Sequence, residues 1–447
     1  MFICNICGNE SLRWEGKCPR CQEWNSLVEF DSKKDRISKS WHSEFSSTPK
    51  LLSEINISNK LYITLSSDEI NRVLGGGIVP GSVILLAGEP GIGKSTLLLG
   101  IADQMSKIRG VSLYVSGEES AEQVTVRAKR MGVVGDKLYI LSSIYIQDLL
   151  LAVKKHKPEL IIVDSIQTLS DQEIDSEPGS VIQIKECTRQ LIQFAKTENI
   201  PVIISGHLNK SGDIAGPRVL EHMVDVVLQM EGEQMNNYRL VTTMKNRFGP
   251  SFEIGVFEIN EFGLKDVVDP SRSFYNNNNT SSIGSLSIAA LMGTRHLLVE
   301  IQSLTSNTVF GAPRRVSTGV DYNRMLLVCA VLSRRANISL SGQDIAVNIA
   351  GGLKVNEPAA DLGMALAITS NILDIPLPNN LVAIGEVGLA GEIRPVPQIE
   401  KRINEVIRLG VNKCLIPKNK NLSLDIPDSL SLYEVSNIND AIAICLK

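Results

Sequence analysis

Short apolar runs, set off by glycine and polar turns, recur through the middle of the chain. Residues 83–87 are too short for a helix and read as a buried strand, and the stretches VSLYVS (111–116), KLYILSS (137–143) and ELIIVDS (159–165) read as further strands. Between them lie segments with helical spacing: an apolar helix from about residue 94, one from about 119 and one over 147–156. Strand and helix alternating in this way predict a parallel α/β sheet. HLNKSGDIAGPRVLEHMVD (207–225) lies between two strands and is too long and polar for a tight turn. SRSFYNNNNTSSIGS (271–285) is a low-complexity hinge. Beyond it, strands in HLLVEIQSL, DIAVNIAGG and LVAIGEVG mix with helices over 323–335, 360–371 and 398–409, which predicts an α+β domain.

Composition bounds the class. At ~150 residues per domain, 447 residues suggest about three domains. Hydrophobic residues at 43% and charged residues at 21% are enough to build cores, which excludes a disordered or collagen-like chain. No apolar run approaches the ~18 to 20 residues that span a bilayer. The start, MFICNICGNE, lacks a basic then apolar leader, so a cytoplasmic protein is expected. Net charge is −4, so any nucleic-acid affinity must come from a local basic surface or from many subunits together.

Four of the eight cysteines, Cys4, Cys7, Cys18 and Cys21, fall in a C-x2-C-x10-C-x2-C pattern. Each two-residue spacer lets a pair of thiolates meet one tetrahedral ion, so the pattern predicts a structural Zn²⁺ site; disulfides fit a cytosolic chain poorly. A segment of about 30 residues buries too little surface to fold unaided, and the metal would supply most of its folding free energy. Trp14 and Trp24 are expected to cover the metal core rather than stack on bases. Cys187, Cys329, Cys414 and Cys445 sit in apolar segments and read as buried thiols. Residues 31–60, rich in Ser, Lys and Asp, read as a linker.

Chemistry concentrates after residue 80. Gly88-Glu89-Pro90-Gly91-Ile92-Gly93-Lys94-Ser95, followed by Thr96, fits G-x-x-x-x-G-K-[ST] between a strand and a helix. Backbone N–H groups would wrap the phosphates of ATP, Lys94 would reach the β and γ phosphates, and the Ser95 hydroxyl would ligate Mg²⁺. Asp164 ends an apolar strand on the same sheet edge and is the candidate second Mg²⁺ carboxylate; capping the next element is its other reading. Glu118 is the candidate for orienting the attacking water, with Glu119 as alternative. Ser205 and His207 end a further strand, where they would either sense the γ-phosphate or, for His207, lie in a surface loop.

LGGG-x-x-PG, GEPGIGKST, YVSGEES, IAGPRVLEHMVD and above all Lys245-Asn246-Arg247-Phe248-Gly249 resemble the RadA (Sms) family of bacterial DNA repair proteins along essentially the whole chain. Asn71 departs from the family's usual aspartate, outside the phosphate site. The resemblance implies a RecA-like motor that forms a homo-oligomeric ring, a hexamer, and drives branch migration of recombination intermediates on single-stranded and branched DNA, with RecA as partner. It also implies that Lys245 and Arg247 complete a neighbouring subunit's ATP site; a solvated basic turn is the alternative. By the same resemblance the 207–225 stretch faces a pore, with Lys210 and Arg218 as DNA candidates, and a flexible surface loop as the other reading.

The C-terminal half resembles the proteolytic domain of Lon, which uses a Ser-Lys dyad. The turn matching its nucleophile reads Pro358-Ala359-Ala360-Asp361, and Ala359 carries no hydroxyl. Glu400 takes the dyad lysine's place, with Lys401 adjacent. A ring-forming scaffold is expected, in which Arg314 and Arg315 either line a DNA channel or sit on the surface. The expected organisation is a Cys4 zinc finger (1–30), a linker (31–60), a RecA-like P-loop ATPase core of α/β class (61–270), a linker (271–285) and an inactive α+β Lon-protease-like domain (286–447). The function expected of it is a DNA-dependent ATPase and helicase processing recombination intermediates. An ATP-dependent protease and a nucleotide-gated DNA-binding scaffold are the alternatives.

Overall fold

Alternation within each apolar run decides which face its side chains cover. In the computed structural model, which describes residues 2–4, 9–11, 13–20, 22–29, 51, 62–207, 219–232, 237–275, 282–308, 311–419, 422 and 424–446, the chain divides into two units, 1–267 and 268–447.

The first unit begins with β1 (Phe2–Cys4), β2 (Glu10–Ser11) and β3 (Leu27–Glu29), an antiparallel sheet in the order β2-β1-β3. There follow α1 (Asp68–Val73), β4 (Val83–Gly88), α2 (Lys94–Ile108), β5 (Ser112–Ser116), α3 (Ala121–Arg130), β6 (Leu138–Ser142), α4 (Ile146–His156), β7 (Leu160–Asp164), α5 (Val181–Glu198), β8 (Val202–His207), α6 (Val219–Met223), β9 (Val226–Glu231), β10 (Tyr238–Asn246), β11 (Ile254–Asn260) and β12 (Gly263–Asp266). The described strands from β4 onward form one sheet, ordered β12-β11-β10-β9-β4-β8-β7-β5-β6. From β9 to β6 its neighbours run parallel, while β10, β11 and β12 add an antiparallel edge.

Both faces of the parallel part are covered. Ile84, Leu86, Tyr114, Ile162 and Ile203 pack on one side with Leu98, Ala102 and Met105 of α2. Val83, Leu85, Val115, Ile161, Val163 and Ile204 pack on the other with residues of α4 and α5. At about 1.5–3 kcal/mol for each fully buried aliphatic side chain, this two-sided burial explains why the strands are continuous apolar runs. The helix expected from about residue 119 begins at Ala121. The Glu119 N–H donates to Ser116 Oγ, and Ser120 caps the helix in a reciprocal box with Gln123.

The second unit contains α7 (Pro270–Phe274), β13 (Ser285–Met292), β14 (Arg295–Asn307), β15 (Arg315–Thr318), α8 (Tyr322–Arg335), β16 (Gln343–Ile349), α9 (Asp361–Leu373), β17 (Leu381–Ala383), β18 (Glu386–Val387), β19 (Ile393–Arg394), α10 (Ile399–Arg408), β20 (Lys413–Pro417), β21 (Ser431–Val435) and α11 (Ile438–Cys445). Its described residues form a mixed sheet ordered β15-β16-β14-β13-β17-β20-β21, against which α9 packs on β13 and β14.

Two expectations are corrected here. The stretch 271–285 is not a free hinge along its described residues. Asp269 caps α7, the buried Ser271 hydroxyl donates to Glu405, and Tyr275 joins the core with Val382 and Ile403. LVAIGEVG is not one strand either, because it breaks after β17. The Gly385 N–H turns to donate to Ala359 O at 3.1 Å, and the chain resumes as β18.

Candidate nucleotide site

The phosphate loop leaves β4 at Gly88 and enters α2 at Lys94. Gly91 and Gly93 hold φ of +77° and +117°, a region that L side chains avoid, and a side chain at Gly88 would strike Met230 O at 2.8 Å. The loop is thus shaped by glycine at the positions where backbone amides must turn inward. The turn is pinned from outside, since Arg239 Nε donates to Ile92 O at 3.0 Å. Lys94 is buried, and its ammonium donates to Gly88 O (2.8 Å) and Glu89 O (2.9 Å) and lies 3.3 Å from His207 Nδ1. Burial lowers its pKa, opposed by the charges of Asp164, Glu118 and Glu89. Ser95 and Thr96 are half-buried in the first turn of α2.

Strand order brings the acids to this edge. Ser116 of β5 pairs with Asp164 of β7, and Gly88 pairs with His207 of β8. Asp164 is oriented by two hydroxyls: Tyr114 donates to Oδ2 at 2.6 Å, and Ser205 donates to Oδ1. Burial, then the adjacent Asp164, pushes the Tyr114 phenol well above its ordinary value, so it remains a donor. Glu118 Oε1 accepts from Ser165 Oγ (2.6 Å) and lies 3.0 Å from His207 Nε2. Burial works to raise its pKa, but the Ser165 and His207 hydrogen bonds prevail and hold the carboxyl below its usual range. Glu119 pairs instead with Arg127 on α3. Lys94, Glu118, Asp164, Ser205 and His207 therefore converge, while Glu119 is engaged elsewhere. Tyr114 and Ser165 went unnoticed in the sequence; a tyrosine inside the apolar strand SLYVS was the available signal.

Lys245 and Arg247 both have partners within the first unit. The register of β10 shifts between Thr243 and Lys245, and the Lys245 ammonium donates to Glu221 O (2.7 Å), His222 O (3.3 Å) and Val224 O (2.8 Å), closing the end of α6. Burial, then Arg247, lowers its pKa. Arg247 lies 3.3 Å from the buried Asp225, which also holds Lys196 and the Val83 N–H. The rest of the motif braces the lead-in turn: Asn246 donates to Leu74 O, and Gly249 abuts Gly75 so closely that a side chain on either would meet the other's Cα within 3 Å.

In the N-terminal module Cys4 and Cys18 are buried with Leu27, against the partly buried Phe2. Cys4 and Cys18 each donate their backbone N–H to a carbonyl five residues on, Asn9 O and Glu23 O, both at 2.9 Å. Two matching turns, each opened by a buried thiol, suit a two-knuckle zinc ribbon. Cys7 and Cys21 lie outside the described residues, and among the described residues no three metal-ligating side chains cluster. Trp14 and Trp24 do not cover this core. They are 56% and 71% exposed, and Trp24 stacks 5.8 Å under the Lys17 ammonium.

Lys210 and Arg218 lie outside the described residues. Arg314 is exposed. The Arg315 guanidinium donates to the carbonyls of Arg314, Leu340 and Gln343, which ties the start of β15 to the segment leading into β16. Ala359 is 2% exposed in an apolar cluster with Ala289, Leu298, Val382 and Ile384, and its turn is flanked by two ion pairs, Glu357–Arg402 and Asp361–Arg324. Glu400 is half-buried at the start of α10, and Lys401 beside it is exposed.

A parallel sheet whose carboxyl edge gathers a glycine-shaped phosphate loop, its lysine and two acids defines a P-loop ATPase core, here with a zinc ribbon before it and a Lon-like α+β unit after it. Family models match accordingly: the rubredoxin metal binding domain over residues 2–29, the AAA domain over 63–213 and subunit ChlI of Mg-chelatase over 306–420. DNA repair protein RadA of Halalkalibacterium halodurans is 45% identical over 100% of this chain and 98% of its own length. Those of Listeria monocytogenes and Bacillus subtilis are each 44% identical over 99% of this chain and 97% of theirs. The chain belongs to the RadA family of DNA repair proteins. Among the described residues no helix is long and apolar enough to cross a membrane.

Proposed function

We propose that this protein is a DNA-dependent ATPase that works as a helicase on recombination intermediates and promotes branch migration in recombinational DNA repair. The carrying observation is the convergence of Lys94, Glu118 and Asp164 on one sheet edge. ATP would be held by residues 88–96, with Lys94 on its β and γ phosphates. Mg²⁺, which neutralises phosphate charge, would be held by Ser95 and Asp164, the latter aimed by Tyr114 and Ser205. Glu118 would orient the attacking water. Cys4, Cys7, Cys18 and Cys21 would hold a structural Zn²⁺ that folds the N-terminal module.

In this reading the protein acts in the cytoplasm as a hexameric ring, with RecA as its partner. Lys245 and Arg247 then serve the neighbouring subunit's nucleotide. Arg247, half-exposed at the rim of the Asp225 pair, is the better placed of the two, since Lys245 must first leave three carbonyls. Single-stranded and branched DNA is gripped through phosphate contacts by Lys210, Arg218 and the exposed Arg314, so affinity falls steeply with salt. Proteolysis is not part of the reading, because the Ala359 methyl sits in a sealed apolar cluster.

The test is ATP turnover with and without single-stranded DNA, and unwinding of a forked substrate, for wild type, Lys94→Ala, Glu118→Gln and Arg247→Ala. Stimulation by DNA, abolished in the first two variants, is expected. Absence of stimulation in the wild type would overturn the motor reading. A Glu118→Gln protein that still unwinds would favour a nucleotide-gated scaffold.

A further inference from the structure

We infer that His207 is a positioning residue that latches the hydrolytic Glu118 to the phosphate-loop Lys94, holding ATP turnover down until the latch is displaced. The inference rests on the assignment of Glu118 and Lys94 above. His207 ends β8 directly across from Gly88, and its imidazole lies between the two charges, with Nδ1 3.3 Å from Lys94 Nζ and Nε2 3.0 Å from Glu118 Oε1. One species satisfies both contacts: a neutral ring whose Nε2–H donates to the carboxylate and whose Nδ1 lone pair accepts from the ammonium.

The contacts have two chemical consequences. Lys94, tied to His207 and to the carbonyls of Gly88 and Glu89, must exchange these partners for phosphate oxygens before it supports transfer. Glu118 takes both of its donors, His207 and Ser165, on the same oxygen, and each hydrogen bond to the carboxylate makes it a weaker base. Opening the imidazole contact removes one of the lysine's three partners and strengthens the base in one motion, while Ser165 keeps Glu118 in place.

The experiment compares wild type, His207→Ala, His207→Gln and Glu118→Gln without DNA. It measures kcat, KM and, by equilibrium fluorescence, the affinity for a non-hydrolysable ATP analogue. Thermal melting checks that each variant is folded. His207→Ala is expected to raise kcat about tenfold, equivalent to about 1.4 kcal/mol, and to tighten analogue binding several-fold. His207→Gln, whose amide still donates to Glu118, should keep the low rate. Unchanged or lower kcat and affinity in folded His207→Ala would overturn the latch, as would equal release in both His207 variants. If Glu118→Gln leaves wild-type turnover intact, the assignment of Glu118 fails instead. Loss of turnover in Glu118→Gln without gain in His207→Ala removes the latch alone.

Discussion

Replacing Arg402 with alanine is expected to cost the C-terminal unit several kcal/mol. The Arg402 side chain is 1% exposed. Its Nη2 donates to Glu357 Oε2 at 2.6 Å, and its Nη1 to Glu357 Oε1 at 2.8 Å and to Ala289 O at 2.5 Å, while Nε donates to Pro397 O at 3.1 Å. Truncation leaves the half-buried Glu357 with the Leu291 N–H as its remaining donor and strips two carbonyls of theirs. Breaking such a buried pair from one side costs about 3–5 kcal/mol. At ~2–4 °C per kcal/mol for a unit of this size, the melting transition should fall by roughly 6–20 °C. Calorimetry of the full chain reads the shift, and hydrogen exchange at the Leu291 amide reads the site itself. Adding Glu357→Gln to Arg402→Met should recover part of the loss, since the uncompensated charge is then gone. A fall under 3 °C with Leu291 protection unchanged would refute the reasoning, because it would mean that water already screens the pair.

Ala359→Ser places a hydroxyl in an apolar cluster, so it should cost about 1–3 kcal/mol in urea unfolding and yield no peptide hydrolysis. Tyr114→Phe removes one donor to Asp164 and keeps the ring, and about 10–100-fold weaker Mg²⁺ activation of ATP turnover is expected in a metal titration. His296, held below its ordinary value by burial and then by the charges of Arg402 and Lys401, binds protons more weakly folded than unfolded. Stability of the C-terminal unit should therefore fall as pH drops below about 6.5, and His296→Gln should flatten that slope in hydrogen exchange across 285–307. Gly88→Ala drives a methyl against Met230 O, so analogue binding should be lost while the fold survives.

What was legible in the sequence was chemistry that needs fixed residue types at fixed spacing. The phosphate loop and the paired cysteines are of this kind, and so are strands whose apolar runs are buried on both faces. Partners that depend on strand order were not legible. Tyr114 and Ser205 reach Asp164 from 50 and 41 residues away, because β5 and β8 flank β7 in the sheet, and no local pattern states that order. The tryptophans misled because apolar character alone does not state which side chains a core takes in. The contacts of Lys245 and Arg315 were not legible either, because a cation in a polar turn looks free until the carbonyls it closes are known.

The turn at Ala359 and the nucleotide edge hold their acids differently, and the magnitudes say why. Around Ala359, Glu357 and Asp361 are each clamped by an arginine. Opening either pair leaves a buried charge at a cost of about 3–5 kcal/mol, which fixes the turn in one arrangement. On the nucleotide edge, Asp164 and Glu118 are held by neutral groups: the hydroxyls of Tyr114, Ser205 and Ser165 and the imidazole of His207. Each is a hydrogen bond to a carboxylate, worth about 1.5–3 kcal/mol net, and exchanging one for another is within reach of what a bound triphosphate returns through the lysine. The region resembling a hydrolytic turn is thus built to stay still. The edge that gathers Lys94, Glu118 and Asp164 is held by contacts that a bound nucleotide can displace, which is what turnover requires of an ATPase site.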